Sequence, residues 1–381
     1  MHAAKIRTSY RPFDEELLRE LCRSMGKKSV TVSTLPRFGF SGARLFIVSF
    51  EHTPYPYIFK VAPLAKAGEE YDAVKSMAKV GLEDCERTLS CNKDGLLVSA
   101  SKKWGAILYP HMGTDNTDEA EDSLTLRQRL FSKKPPLKPA ELKKILSEVY
   151  KRLHNAHMNL RWKQCNVSKI YDRYFRRHES RVRIRQILGR HSSREKFSFL
   201  GAEIHNPLSL IDNLPIEANL PISHVHGDLH PDNVVIHRSG APHLIDFAWA
   251  KKKRDVLVDY VLMENSIRFR DFPRTANFDE QLEVDRALLQ EDSFEKIPSC
   301  ISEDPRNHKS YQQLASTIFL IRKLAKNTLG EKFSSERYFF CQFIVLYGLI
   351  RYEIYEPYTS IRALGMIANR LKSTRWHFLK S

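Results

Sequence analysis

Residues 226–248 read HGDLHPDNVVIHRSGAPHLIDFA, and this segment constrains the chain more than any other. Two apolar runs, Val234–Ile236 and Leu244–Ile245, flank a turn at Arg238, Ser239 and Gly240. Apolar runs on either side of a polar, glycine-bearing turn predict a short hairpin. Folding it sets Asn233 beside Asp246. Two adjacent oxygen donors can hold magnesium, which needs only one or two carboxylates when phosphates and water complete its shell. Asp228, five residues before Asn233, then sits where an incoming hydroxyl could lose its proton. An isolated His-Gly-Asp occurs in ordinary turns. The full pattern, with Asp246 thirteen residues after Asn233, is far more specific.

The N-terminal third supplies further parts. Ser29–Leu35 alternates apolar and polar residues and predicts a strand. It leads into a loop bearing Gly39, Ser41 and Gly42, then the apolar strand Leu45–Phe50. A glycine loop between two strands lets backbone N–H groups approach phosphates. A third strand, Tyr57–Ala62, carries Lys60 in the apolar context YIFKVA. A lysine on the inner face of a strand needs an anion partner. The helix predicted over Glu69–Val80 offers Glu70, with Glu69 as the other choice. Both acids also suit an exposed helix start, where the dipole favours negative charge. Leu96–Ala100 and Ala106–Pro110 predict another hairpin, running into His111 and Met112.

The loop HGDLHPDN followed by a strand and IDF resembles the catalytic loop and metal-binding aspartate of the aminoglycoside phosphotransferase and choline kinase group. That resemblance implies an α+β, bilobal protein-kinase-like fold, with a small β-rich N-lobe and a large helical C-lobe. It implies Asp228 as catalytic base, Asn233 and Asp246 as metal ligands, and His226 as the anchor of the loop. It pairs Lys60 with the nucleotide α/β-phosphates and with Glu70, and puts Gly39, Ser41 and Gly42 over the phosphates. The adenine hinge falls at His111 or Met112, since Pro110 has no N–H to donate. ATP or GTP and Mg2+ are the implied cofactors. The wording GFSGAR, and Asp259–Glu264 (DYVLME) after IDFA, also resemble a kinase-like domain of bacterial conflict systems, the ternary-complex-associated family.

Composition bounds these readings. A chain of 381 residues accommodates one bilobal unit: a helical extension over 1–28, the nucleotide-binding lobe over 29–113 and the catalytic lobe over 114–381. No run of 18 apolar residues exists, so no membrane span is expected. Six scattered cysteines without paired spacing favour reduced thiols and a cytoplasmic location. The net charge of +16 is concentrated over Arg161–Lys196 and at Lys251–Arg254. A basic face favours an anionic acceptor or nucleic acid and disfavours polycations. A solvated helix face is the plainer reading, and sequence does not decide whether the two clusters meet. A protein kinase is disfavoured, because no APE follows and the next regular element starts by about Val256. Two alternatives to the enzyme remain: a nucleotide-sensing pseudokinase scaffold in a defence or regulatory system, and a nucleic-acid-binding module.

Overall fold

The computed structural model of the chain describes residues 12–34, 43–51, 56–110, 124–131, 137–175, 178–237, 239–271, 278–299, 305–373 and 376–379. Met1–Arg129, Lys151–Ala156 and Asp232–Lys251 make one compact unit; Leu130–Tyr150, His157–Pro231 and Lys252–Ser381 make the other. The fold is α+β, with strands concentrated in the first unit and helices in the second.

The first unit is built on an antiparallel sheet of order β1-β2-β3-β5-β4, from β1 (Val30–Thr34), β2 (Arg44–Phe50), β3 (Tyr57–Pro63), β4 (Leu97–Val98) and β5 (Trp104–Pro110). Residues opposite one another share a face, so Leu45, Lys60 and Ile107 point one way. Phe46, Val48, Phe59, Val61 and Leu108 point the other way and pack on α1 (Pro12–Ser24) through Leu17, Leu18 and Leu21. The helix expected as an extension is therefore the back wall of the sheet, tied further by an Asp14–Arg44 ion pair. The Lys60 face is covered by α2 (Leu64–Ala78), which starts five residues earlier than the sequence pattern predicts. The unit also holds α3 (Glu83–Cys91) and a small sheet of order β12-β11-β6, from β6 (Leu124–Thr125), β11 (Val234–Ile236) and β12 (Pro242–Leu244). The expected hairpin is thus present, with Val234 opposite Leu244.

The second unit has a three-stranded sheet of order β13-β10-β7, from β7 (Arg161–Asn166), β10 (Glu217–Val225) and β13 (Lys251–Asp255). A hairpin joins β8 (Lys196–Phe199) to β9 (Ala202–His205). Ahead of the basic stretch come α4 (Leu126–Phe131), α5 (Pro139–Arg152) and α6 (His154–Met158), the last two separated at Leu153. The stretch itself is not one solvated helix face. It runs through β7, α7 (Val167–Ile170), α8 (Asp172–Phe175) and α9 (His178–Leu188). Its first strand and the second basic cluster, on β13, flank the same central strand, so the two clusters do meet. Beyond them lie α10 (Pro207–Asp212), α11 (Leu257–Ser266), α12 (Phe278–Leu289), α13 (Pro305–Leu329), α14 (Ser335–Leu349) and α15 (Pro357–Ser373). Every residue of α11 is buried, as expected of a helix at the centre of a bundle.

Glu264 on α11 is fully buried and accepts hydrogen bonds from Arg268 (2.9 Å), Arg322 (2.7 Å), Tyr338 (2.7 Å) and Gln342 (2.7 Å). Burial alone would push its carboxyl up, but Arg322 and Arg268 outweigh that and bring it down to about 2. Asp285 extends the network, bonding Arg268 at 2.8 Å and Arg362 at 3.1 Å. Gly348 on α14 meets α8 so closely that a Cβ there would lie 2.6 Å from the Tyr174 Cα. The five cysteines among the described residues are free thiols, and no helix among those residues is long and apolar enough to cross a membrane.

Two outcomes follow. Gly348→Ala must push α8 away from α14 and should cost about 1–3 kcal/mol in urea unfolding. Arg322→Met leaves a buried carboxylate short of its main partner and should cost about 3–5 kcal/mol at pH 7. Because the folded-state value of Glu264 lies below the unfolded one, its contribution holds above the ordinary carboxylate range and is lost as pH falls through about 2. The same acid titration of Arg322→Met should show that loss at higher pH.

Candidate active site

In the first unit the sheet and α2 bring three expected residues together. Lys60 Nζ lies 2.9 Å from Glu70 Oε1 and 3.0 Å from Asp246 Oδ1. The choice between two neighbouring acids is settled: Glu70 is buried on the inner face of α2 and takes the lysine. Burial works to strip Lys60 of its proton, but Asp246 and Glu70 overcome it and hold the ammonium above its ordinary range. Burial pushes Glu70 up, against the pull of Lys60. A fourth member was not expected. The buried Tyr109, at the end of β5, donates its hydroxyl to Glu70. Burial and the Glu70 charge keep that phenol protonated well above its ordinary range, so it remains a donor.

Asp246 is aimed by its backbone and by its neighbours. Its φ of 62° is in the left-handed region, which non-glycine residues visit at a cost and which asparagine and aspartate tolerate best. The hairpin leading to it is fastened to α3 by Asp84, whose buried carboxylate accepts from His243 Nδ1 at 2.9 Å and from the Leu244 N–H at 3.0 Å. Arg152 closes the charge on Asp84 at 3.2 Å. The Ile245 N–H bonds the Asn233 carbonyl at 3.1 Å, so Asn233 stands next to the Asp246 strand end as the sequence predicts. Among the described residues no group of three or more His, Cys, Asp or Glu side chains converges on one point. The donor set offered by Asn233 and Asp246 consists of hard oxygens, which fits a magnesium ion that takes most of its shell from phosphate and water.

In the second unit the HGD loop is held from beneath. Asp259 on α11, with no exposure, accepts the His226 N–H at 2.9 Å and the Gly227 N–H at 2.8 Å. His157 Nε2 donates to the same carboxylate at 3.1 Å, and its Nδ1 faces the Tyr260 hydroxyl at 3.4 Å. His226 is buried, and its Nδ1 faces the Asp228 N–H at 3.4 Å, consistent with an anchor. Gly227 has φ 76°, a conformation that glycine adopts without strain. Asp228 Oδ1 receives Arg173 of α8 at 3.0 Å, and Arg173 also bonds the Gly227 carbonyl at 2.7 Å. His230 Nε2 lies 3.8 Å from the other carboxylate oxygen.

Tyr109, Asp84, Asp259 and Arg173 were missed as site residues by sequence reasoning. Asp259 left a trace in the DYVLME wording, and Arg173 as one member of the basic stretch Arg161–Lys196. The glycine-loop residues Gly39, Ser41 and Gly42 and the hinge residues His111 and Met112 lie outside the described residues.

The family of ternary complex associated domain 9 matches residues 174–346. Among solved structures the chain is similar to a choline kinase from Cryptosporidium parvum Iowa II, at 14% identity over 96% of this chain and 98% of that one, with a TM-score of 0.45. It is similar to a spectinomycin phosphotransferase solved with ADP and spectinomycin, at 11% identity over 93% and 97%, with a TM-score of 0.43. An ethanolamine kinase from Plasmodium vivax matches at 12% identity over 93% and 84%, with a TM-score of 0.39. No curated protein matches this chain by sequence. The family match falls on the ternary-complex-associated group that the GFSGAR and DYVLME wording resembles.

Asp259→Ala removes the acceptor of two loop amides and of His157. At about 1–3 kcal/mol for each buried group left unsatisfied, it should cost about 3 kcal/mol or more in urea unfolding. A loss under about 1 kcal/mol would mean that the loop is held by something else.

Proposed function

We propose that this chain is a phosphotransferase moving the γ-phosphate of ATP or GTP to a hydroxyl of a small-molecule acceptor. The observation that carries this reading is the buried Lys60, bonded at once to Glu70 on α2 and to Asp246 at the end of the HGD-to-IDF segment. One cation between two carboxylates leaves negative charge in excess, an arrangement suited to a divalent ion and to the phosphates that come with it. A lysine serving only as a strut needs one carboxylate.

The roles follow from the chemistry of each side chain. Lys60 binds the α/β-phosphates, kept in place by Glu70, which Tyr109 steadies. Asn233 and Asp246 would hold one or two Mg2+ ions; when bound, the metal neutralises charge on the transferring group. Gly39, Ser41 and Gly42 cover the phosphates, and the backbone at His111 or Met112 receives the base. Asp228 accepts the proton of the attacking hydroxyl, on a loop fixed by Asp259. Catalysis is then positioning plus electrostatic stabilisation. The match to the ternary complex associated domain favours one other reading, a scaffold that senses nucleotide without transferring phosphate.

The test is calorimetry of Mg2+-dependent ATP and GTP binding, with γ-phosphate transfer followed in parallel. Asp246→Ala should abolish metal-dependent binding. Asp228→Asn should keep nucleotide affinity within about threefold and lower turnover about 10²–10⁴-fold, the usual contribution of a general base. Wild-type turnover in both variants would sink the mechanism. Nucleotide binding with no transfer to any acceptor, or to water, would select the scaffold.

A further inference from the structure

We infer that the phosphoryl acceptor carries a negatively charged group and that Arg173 binds it. The inference rests on Asp228 as the base and names the class of its substrate.

Arg173 projects from α8, a helix whose placement is fixed on three sides. Gly348 lets α14 come into close contact at Tyr174, Tyr171 donates to the buried Asp255, and Arg254 of β13 bonds Asp172 at 2.6 Å. The result is a largely buried guanidinium that spans the Gly227 carbonyl and the Asp228 carboxylate. Holding the loop does not require it, because Asp259 already takes both loop amides. A fixed cation against the base brings no advantage for accepting a proton from a neutral alcohol. It does bring one when an anion arrives beside Asp228, because two negative groups at close range would otherwise repel. The planar guanidinium has five N–H donors in a fork and can bridge two anions.

The surroundings point the same way. A cationic acceptor needs carboxylates or open aromatic faces. Here two tyrosines already carry arginines: Arg173 sits 5.7 Å from the Tyr174 ring centre, and Arg351 sits 4.3 Å from that of Tyr352. Tyr352 lies near Arg173. Arg183 of α9 bonds the Arg351 carbonyl at 3.3 Å, a further cation on the segment that carries Tyr352. Two carboxylates follow on this segment: Glu353 is exposed to solvent, and Glu356 is committed to the start of α15, where it accepts the Tyr358 and Thr359 N–H groups at 3.1 and 2.6 Å.

Inorganic phosphate serves as the probe, titrated by calorimetry onto the full chain without nucleotide. Wild type should bind it saturably. Arg173→Met should lose at least tenfold in affinity. Arg173→Gln, which keeps a donor for the Gly227 carbonyl, should lose as much while unfolding at the wild-type temperature; it decides the matter if the methionine variant does not fold. Choline should neither bind nor displace phosphate. No phosphate binding by wild type, wild-type affinity in Arg173→Gln, or displacement by choline would each overturn the inference. Mg2+-nucleotide binding by the same wild-type protein reports separately on the phosphotransferase reading: its absence would end that reading, whatever phosphate does.

Discussion

Burying a carboxylate is among the more expensive things a chain can do, and helix α11 buries two. Asp259 and Glu264 lie five residues apart on a helix with no exposed residue, so water can satisfy neither. Each is satisfied by what it organises. Asp259 gathers the amides of the HGD loop and the His157 ring. Glu264 gathers Arg268, Arg322, Tyr338 and Gln342 from three other parts of the second unit. The same helix therefore fixes the chemistry-bearing loop and the helical core, and neither can shift without stranding a charge.

The first unit solves the mirror problem, a buried ammonium. Lys60 is tolerable only while Glu70 and Asp246 face it, and Glu70 in turn takes the Tyr109 hydroxyl. Asp84 does for the IDF hairpin what Asp259 does for the HGD loop, turning backbone N–H groups and a histidine toward a carboxylate that has no exposure to water to fall back on. In both units a carboxylate that would do chemistry, Asp246 in the first and Asp228 in the second, is partly exposed, while the acids that position the site are sealed.

Local pattern made part of this legible. Alternation in β1, the apolar run of β2, the lysine stranded in YIFKVA, and the turn between Val234–Ile236 and the IDF triplet each announce themselves within a dozen residues. The pairing of Lys60 with Glu70 could be reached because only ten residues separate them. What could not be read are the contacts made over long separations. Asp84 meets His243 across 159 residues, and Arg173 meets Asp228 across 55. Nothing in an acidic helix start at Glu83–Asp84 distinguishes an anchor from a solvated charge. The basic stretch stayed open between a functional face and a solvated helix face because arginines at mixed spacing fit a strand edge, a short helix and a longer one equally well, and the chain uses all three.

The position of α1 has a practical consequence for where this protein can be cut. A boundary drawn at residue 28, natural enough if the first helix were an appendage, would strip Leu17, Leu18 and Leu21 from the sheet and leave Phe46, Val48, Phe59, Val61 and Leu108 facing solvent as one contiguous patch. Patches of that kind drive association between copies. A fragment trimmed there would come out of expression as aggregate, and its silence in an assay would say nothing about Lys60 on the opposite side of the same strands.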